Sequence, residues 1–216
     1  MSKTVTTTHL QLLTETNFLL DIAFDQSPEC KRLFFLAQEQ NIPIIVPEYS
    51  FAEAEGNIAK TLEQRLAAID TTIGILKQSA RSAYQDVAAL LAQLHAFKAR
   101  SDAEERPLLH LKLAKLEEHV SVIPFSAKIG ARAELRGLRQ LAPWKPTDRN
   151  VYESLLHFVR KNQASEAHTL FLTRDRADFD VPSLHDELAA LSVELLFSAG
   201  DGIRRIRELL QLNASS

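Results

Sequence analysis

Apolar residues recur along this chain in three rhythms. Five short runs, His9–Leu13, Ile42–Pro47, Val120–Pro124, His168–Thr173 and Ser192–Phe197, are compact and rich in Val, Ile, Leu and Phe. They read as buried strands. Between them the apolar positions follow a helical period. Strands alternating with helices predict an α/β fold built on a mostly parallel five-stranded sheet, in which ligands sit beyond the carboxyl ends of the strands.

The middle of the chain keeps a third rhythm. From Leu62 to Phe97 the apolar or small positions fall at 62, 66, 69, 73, 76, 80, 83, 87, 90, 94 and 97, alternating steps of four and three. That is a coiled-coil-like heptad seam. A single helix from Ser50 to Arg100 would be about 75 Å long. The pattern therefore predicts either a break near Thr71–Gly74, where helix propensity is poor, or a projecting hairpin. Ser101–Glu104 has capping-box spacing for a returning helix, with Leu109, Leu113 and Leu116 as its facing stripe.

Composition narrows the class. The 216 residues are 45% hydrophobic and 25% charged, as in an ordinary globular protein, and the formal net charge of −3 offers no global basic field for nucleic acid. One cysteine, Cys30, excludes an intramolecular disulfide and a cysteine-rich zinc site. No run has the length of a membrane span and the first residues lack a signal-peptide core, so a cytoplasmic location without membrane contact is the default expectation. The seven histidines show no paired ligand spacing and read as structural or surface residues. A glycine-rich phosphate loop and a Ser–His–Asp arrangement are not recognisable. The segment after the first strand, TETNF, lacks the paired aspartates of a haloacid-dehalogenase-type phosphatase.

What remains is a set of acids at element ends. Glu15 follows the first strand, with Thr16 and Asn17 beside it. Glu53 lies near the start of a helix expected from about Ser50, with Glu48 and Glu55 as alternatives. Pro146 and Thr147 mark another helix start, with Thr147 as N-cap and Asp148 in the first turn, ahead of the apolar face of Tyr152, Leu155, Leu156 and Val159. Glu153 points away from that face and reads as solvated. The fourth strand runs into TRDRADFD, which carries Asp175, Asp178 and Asp180, with Asp180 read as solvated. Each acid by itself suits helix capping or a wet loop. Acids at three strand ends and one helix start also suit Mg²⁺ or Mn²⁺, which need hard oxygen ligands from separate rigid elements.

The stretches LLTETNFLLD, IIVPEYSFAEAE, PTDRNVYESLL and LFLTRDRADF resemble, in order, the four motifs of the PIN domain family. VSVIPFSAKIGARAEL resembles that fold's third strand and following helix, and SVELLFSAGDGIRRI its last strand. The resemblance implies a three-layer fold, one PIN-like domain over residues 1–216 with a long helical insertion at about 58–118. It also implies Mg²⁺- or Mn²⁺-dependent phosphodiester hydrolysis, usually of RNA, as in toxin–antitoxin toxins and RNA-processing nucleases. By motif the catalytic and metal-binding acids are Glu15, Glu53, Asp148 and Asp175, with Asp178 as a further ligand and Asn17 in support. The family usually has Asp where this chain has Glu15.

Acids would repel RNA without basic groups at the rim. The candidates are Arg149, Arg174 and Arg176, and a helix stripe of Lys128, Arg132, Arg136 and Arg139 at spacings of four, four and three. Two functional classes follow. One is a metal-dependent endoribonuclease with an antitoxin or other protein partner. The other is an inactive PIN-like scaffold that binds RNA or protein, or pairs as a homodimer, through its helical insertion.

Overall fold

The computed structural model describes residues 10–79, 85–162 and 168–214. Five strands, β1 (Leu10–Leu13), β2 (Ile44–Pro47), β3 (Ser121–Ile123), β4 (His168–Leu172) and β5 (Val193–Leu196), form one sheet in the order β3-β2-β1-β4-β5. Every pairing is parallel, so the sheet is wholly rather than mostly parallel. Each strand lies inside its expected run, and His9 falls outside the described residues.

Alternation along the strands builds three layers. Leu10 and Leu12, Ile44 and Val46, and Leu170 and Leu172 face one core, shared with α1 (Thr16–Ala23), α2 (Pro28–Glu39), α3 (Glu48–Ser79), α5 (Arg106–Glu117) and α10 (Ala199–Ala214). Leu13, Ile45 and Phe171 face the other, shared with α7 (Pro146–Lys161) and α9 (Pro182–Ala189). α6 (Ala127–Leu138) packs on α7. Burial on both faces explains the continuous apolar run of the inner strand β2, while the edge strands β3 and β5 carry the exposed Ser121 and Glu194.

Local chemistry sets the helix ends. Ser27 and Ser126 cap α2 and α6 through their hydroxyls, and Pro stands in the first turn of α2, α7 and α9. With few glycines available, Asp25, Asn41 and Gln140 take the left-handed conformation just beyond α1, α2 and α6. The next residue's N–H then closes each helix, as in Gln26 N–H to Asp21 O and Ile42 N–H to Ala37 O.

The heptad region is a helical hairpin. α3 runs unbroken through Thr71–Gly74, beginning at Glu48 rather than Ser50; 32 residues span about 48 Å. Of the two expected outcomes, the hairpin is the one observed; within α3 the Thr71 and Thr72 hydroxyls donate to Ala67 O and Ala68 O at 2.9 Å, which satisfies them without leaving the helix. α4 (Gln85–Arg100) and α5 return alongside it. Lys98 pairs with Asp70 at 2.6 Å and Arg65 with Glu105 at 2.5 Å, so the two arms are antiparallel. Ser101–Glu105 is a π-helical turn joining α4 to α5, not the start of a new helix. Leu109, Leu113 and Leu116 are buried, as the stripe predicted. The seam is covered unevenly: Leu62 and Ile73 are buried, Leu90 and Phe97 are exposed, and Ala80 and Ala83 lie outside the described residues. Among the described residues, no helix is long and apolar enough to cross a membrane.

Candidate metal centre

Strand order places the site. β2 and β3 lie on one side of β1, β4 and β5 on the other, so the topology switches between β1 and β4. Open parallel sheets form a crevice beyond the strand ends at such a point. Leu13 is in register with Phe171, which brings the residues that follow β1 and β4 together. Thr173 Oγ1 donates to Glu15 Oε1 at 3.3 Å across the gap.

Glu15 is the N-cap of α1. Its Oε2 accepts the Asn17 N–H at 2.8 Å, so the capping reading is correct as geometry. The side chain is nevertheless buried. Burial pushes its pKa up to about 7 against the opposing Asn17 hydrogen bonds, and Glu53 and Asp148 add like-charge repulsion. Asn17 therefore touches Glu15 in the structure. Glu53, in the second turn of α3, accepts from Thr16 Oγ1 at 2.5 Å. Its two alternatives lie elsewhere: Glu48 accepts the Phe125 N–H at 2.6 Å and ties α3 to the end of β3, while Glu55 is exposed.

Asp148, Asp175 and Asp178 form the tightest acidic group, with one carboxylate oxygen from each within 4.8 Å of the others. Asp148 lies in the first turn of α7, which begins at Pro146 with Lys145, not Thr147, in the cap position. Asp175 caps the short α8 (Arg176–Phe179) by accepting the Asp178 N–H at 3.1 Å, and Asp178 is buried. Both candidates after β4 thus reach the cluster. Asp180 is exposed, as expected, and pairs with Arg176 and His185. Glu15 and Glu53 lie outside the group of three but close enough to influence it electrostatically.

The spacing suits a hard cation. A divalent ion about 2.0–2.6 Å from each oxygen leaves its ligands within roughly 5 Å of one another. Burial raises the pKa of Asp148 to about 6, Lys145 opposes that rise, and Asp178, Asp175 and Glu53 reinforce it. Asp148 Oδ2 is itself buried without a hydrogen bond, and the Lys145 ammonium lies 3.6 Å away. Thr14 Oγ1, just beyond β1, and Ser50 Oγ, in the first turn of α3, are buried and likewise have no hydrogen-bond partner. Polar atoms in that condition cost free energy until something binds them. The donor set fits Mg²⁺ or Mn²⁺.

Lys145 and Thr173 are site residues that sequence reading missed. The Lys145 Nζ contacts Asp178, lies 3.1 Å from Asp175 and faces Asp148. The hydrogen bonds it donates to Asp178 and Asp175 raise its pKa, so it is an ammonium. Partial burial opposes ionisation of Asp175, yet the Lys145 hydrogen bond and the Asp178 N–H hold its pKa below the ordinary value. In sequence, a lysine before Pro146 looks like any solvated lysine; Thr173 carried only its place at a strand end.

The basic rim is smaller than the spacing suggested. Arg136 is buried and donates to Glu153 Oε1 at 2.7 Å, Ala142 O at 2.7 Å and both oxygens of Glu187 at 2.9 and 3.0 Å. It is a structural cation, which removes it from the substrate-binding set. Glu153 is its buried partner and not the solvated acid expected. On the same helix Lys128 and Arg139 are exposed and Arg132 is half-buried. Arg149 donates to Trp144 O at 2.6 Å and covers Gly137, where an added Cβ would meet its guanidinium at 2.8 Å. Arg174 pairs at 3.0 Å with Asp21, which is fully buried and also accepts from Cys30 Sγ. That approach is close enough for an ion pair although Asp21 Oδ1 makes no hydrogen bond of good angle. Arg176 lies over the Phe197 ring at 4.3 Å. The last two remain about half or more exposed.

No family model and no curated protein sequence matches the chain. Among solved structures it is similar to VapBC2 from Rickettsia felis bound to a DNA fragment from its promoter. That likeness has 12% identity, covers 87% of this chain and 99% of the other, and has a TM-score of 0.47. At that level of likeness, function has to be read from the residues of this chain.

Proposed function

We propose that the protein is a divalent-metal-dependent nuclease, most specifically an endoribonuclease of the PIN type, acting in the cytoplasm with Mg²⁺ or Mn²⁺. The observation that carries the reading is the meeting of Asp148, Asp175 and Asp178 at the carboxyl edge of a parallel sheet, beside its switch point. The whole chain is read as one PIN-like domain, with the hairpin as the insertion at about 58–118.

Asp148, Asp175 and Asp178 hold the ion, with Glu15 at the N-cap of α1 and Glu53 on α3 as the neighbouring acids. A bound divalent ion supplies charge stabilisation on the scissile phosphate and lowers the pKa of an attacking water. The chain's own contribution is positional. α7 and the β4 end fix Asp148 and Asp175, while Thr173 and Asn17 orient Glu15 between α1 and β4. Arg174 and Arg176, exposed next to Asp175, are the candidate phosphate contacts, with Arg149 and Arg132 further back. RNA is the substrate proposed. A protein partner of the antitoxin kind would restrain the activity.

The test is cleavage of a pool of small structured RNAs by wild type and Asp148→Asn, with and without Mn²⁺. Metal-dependent cleavage by wild type that Asp148→Asn abolishes is expected. Wild type inert with every divalent ion would defeat the reading.

A second reading has its own observation. Leu90, Phe97 and Leu108 on the hairpin are exposed, as a binding scaffold or homodimer would require. It predicts self-association, measured by sedimentation, that Phe97→Ser weakens, together with no cleavage by wild type.

A further inference from the structure

Lys145 stands where the proposed ion belongs. Its ammonium reaches Asp175 Oδ2 at 3.1 Å, contacts Asp178 Oδ2 and lies 3.6 Å from Asp148 Oδ2, so it faces all three acids of the cluster. Three carboxylates against one ammonium leave a formal charge of −2. Asp148 Oδ2, buried, gains no hydrogen bond from the lysine. One lysine therefore neutralises the group incompletely.

The stem is built to leave. The side chain is 58% exposed and makes no capping hydrogen bond to α7. Its four-carbon chain can swing outward without moving the backbone that holds Asp148. An ammonium and a divalent ion cannot share the same carboxylate oxygens, because like charges at contact distance repel strongly. Arg136 offers the contrast within the same protein: its planar guanidinium is buried and locked by carboxylates on two helices. A lysine at a site open to solvent is the exchangeable choice.

We infer that Lys145 is a resident counter-ion of the acid cluster, displaced when a divalent ion binds and then free to meet a substrate phosphate at the same edge. The inference rests on the metal-dependent reading above and adds the group that sets the ion's affinity. It makes Lys145 a competitor with metal in the free protein and a phosphate contact once metal is present. Two opposite effects of one side chain follow: removing it tightens metal binding and weakens substrate binding.

The test is Mn²⁺ affinity of the full-length chain without nucleic acid, measured by electron paramagnetic resonance at fixed pH and ionic strength. Wild type is compared with Lys145→Met, which keeps the stem without its charge, and Lys145→Arg, which keeps a charge. The Met variant is expected to bind Mn²⁺ at least tenfold more tightly, with the Arg variant much closer to wild type. In Mn²⁺-saturated protein that keeps all three aspartates, Lys145→Met is expected to bind a cleavage-resistant phosphorothioate single-stranded RNA several-fold more weakly than wild type. Equal Mn²⁺ affinity in wild type and Lys145→Met overturns the counter-ion role while leaving the metal site standing. Failure of both to bind millimolar Mn²⁺, with circular dichroism confirming the fold, overturns the metal-dependent reading itself and the inference with it.

Discussion

Two clusters on α7 and its neighbours set cations among carboxylates, and they are built differently. Around Arg136, two arginines meet two glutamates: Arg136 with Glu153 and Glu187, and Arg160 with Glu187 at 3.1 Å. The charges cancel. Tyr152 donates its hydroxyl to Glu187 at 3.2 Å and lies beneath the Arg136 guanidinium at 4.7 Å. Every polar group of the centre has a partner, and the arrangement joins α6, α7 and α9. Around Lys145, three aspartates face one largely exposed ammonium, and a buried carboxylate oxygen lacks a hydrogen bond. Balance and burial mark a cluster that supports the fold; surplus charge with an open side marks one that is prepared for a ligand.

The comparison breaks most visibly at Arg136. Arg136→Ala should cost about 3–5 kcal/mol in urea denaturation, because Glu153 is left buried and unpaired. Lys145→Met should change stability by less than about 1 kcal/mol, since its side chain is mostly solvated. Equal losses would erase the distinction between the two clusters.

Asp148→Asn tests the surplus charge from the other side. Metal-dependent cleavage should fall at least ~100-fold, corresponding to about 3 kcal/mol in the barrier, with the fold intact by circular dichroism.

Glu15 sharpens the comparison through pH. Its folded-state pKa is raised from 4.5 to about 7, chiefly by burial, so the native state holds its proton more tightly than the unfolded chain. Glu15's contribution is therefore fully present below about pH 4.5 and is lost as pH rises through about 7, a change on the order of 3 kcal/mol. In EDTA, Glu15→Gln should remove this decline and make the protein more stable than wild type at pH 8, by about 1–3 kcal/mol, because an amide can still accept the Asn17 N–H. Saturating Mn²⁺ should flatten the same decline in wild type. If Glu15 were only a solvated helix cap, its carboxylate would be the favoured form, wild type would gain stability as pH rises, and Glu15→Gln would not be the more stable protein at pH 8.

The smallest effect belongs to the exposed part of the α6 stripe. Lys128→Ala should leave stability within about 0.5 kcal/mol and lower the salt slope of single-stranded RNA binding by about 0.7 if Lys128 meets a phosphate. An unchanged slope would assign it to solvent.

Much of this architecture was legible in the chain. The central strands could be found because both faces of a parallel sheet are buried there, which makes Ile44–Pro47 and Leu170–Leu172 continuously apolar. The candidate acids were legible because they end those runs or begin helices. The α6 stripe misled for a definite reason: helical spacing establishes that Lys128, Arg132, Arg136 and Arg139 share a side, but not whether that side meets water or α7. Glu153 failed in the same way, since the angle from Tyr152 says nothing of the helix that packs on its other flank. Thr71–Gly74 shows the limit of propensity, because α3 continues through a weak segment in which Ile73 is buried.

The sequence by itself determined the secondary elements, the hairpin's buried leucine stripe and the acids available at element ends, since these depend on neighbours along the chain. Only the tertiary structure decided which acids meet. The β3-β2-β1-β4-β5 order brings β1 and β4 side by side, so Glu15 and Thr173 touch across 158 positions of sequence. The same packing closes Arg136 into a balanced network and leaves Lys145 alone against Asp148, Asp175 and Asp178. Burial and net charge of a cluster are sums over residues remote in sequence, and they come into being only when the layers pack.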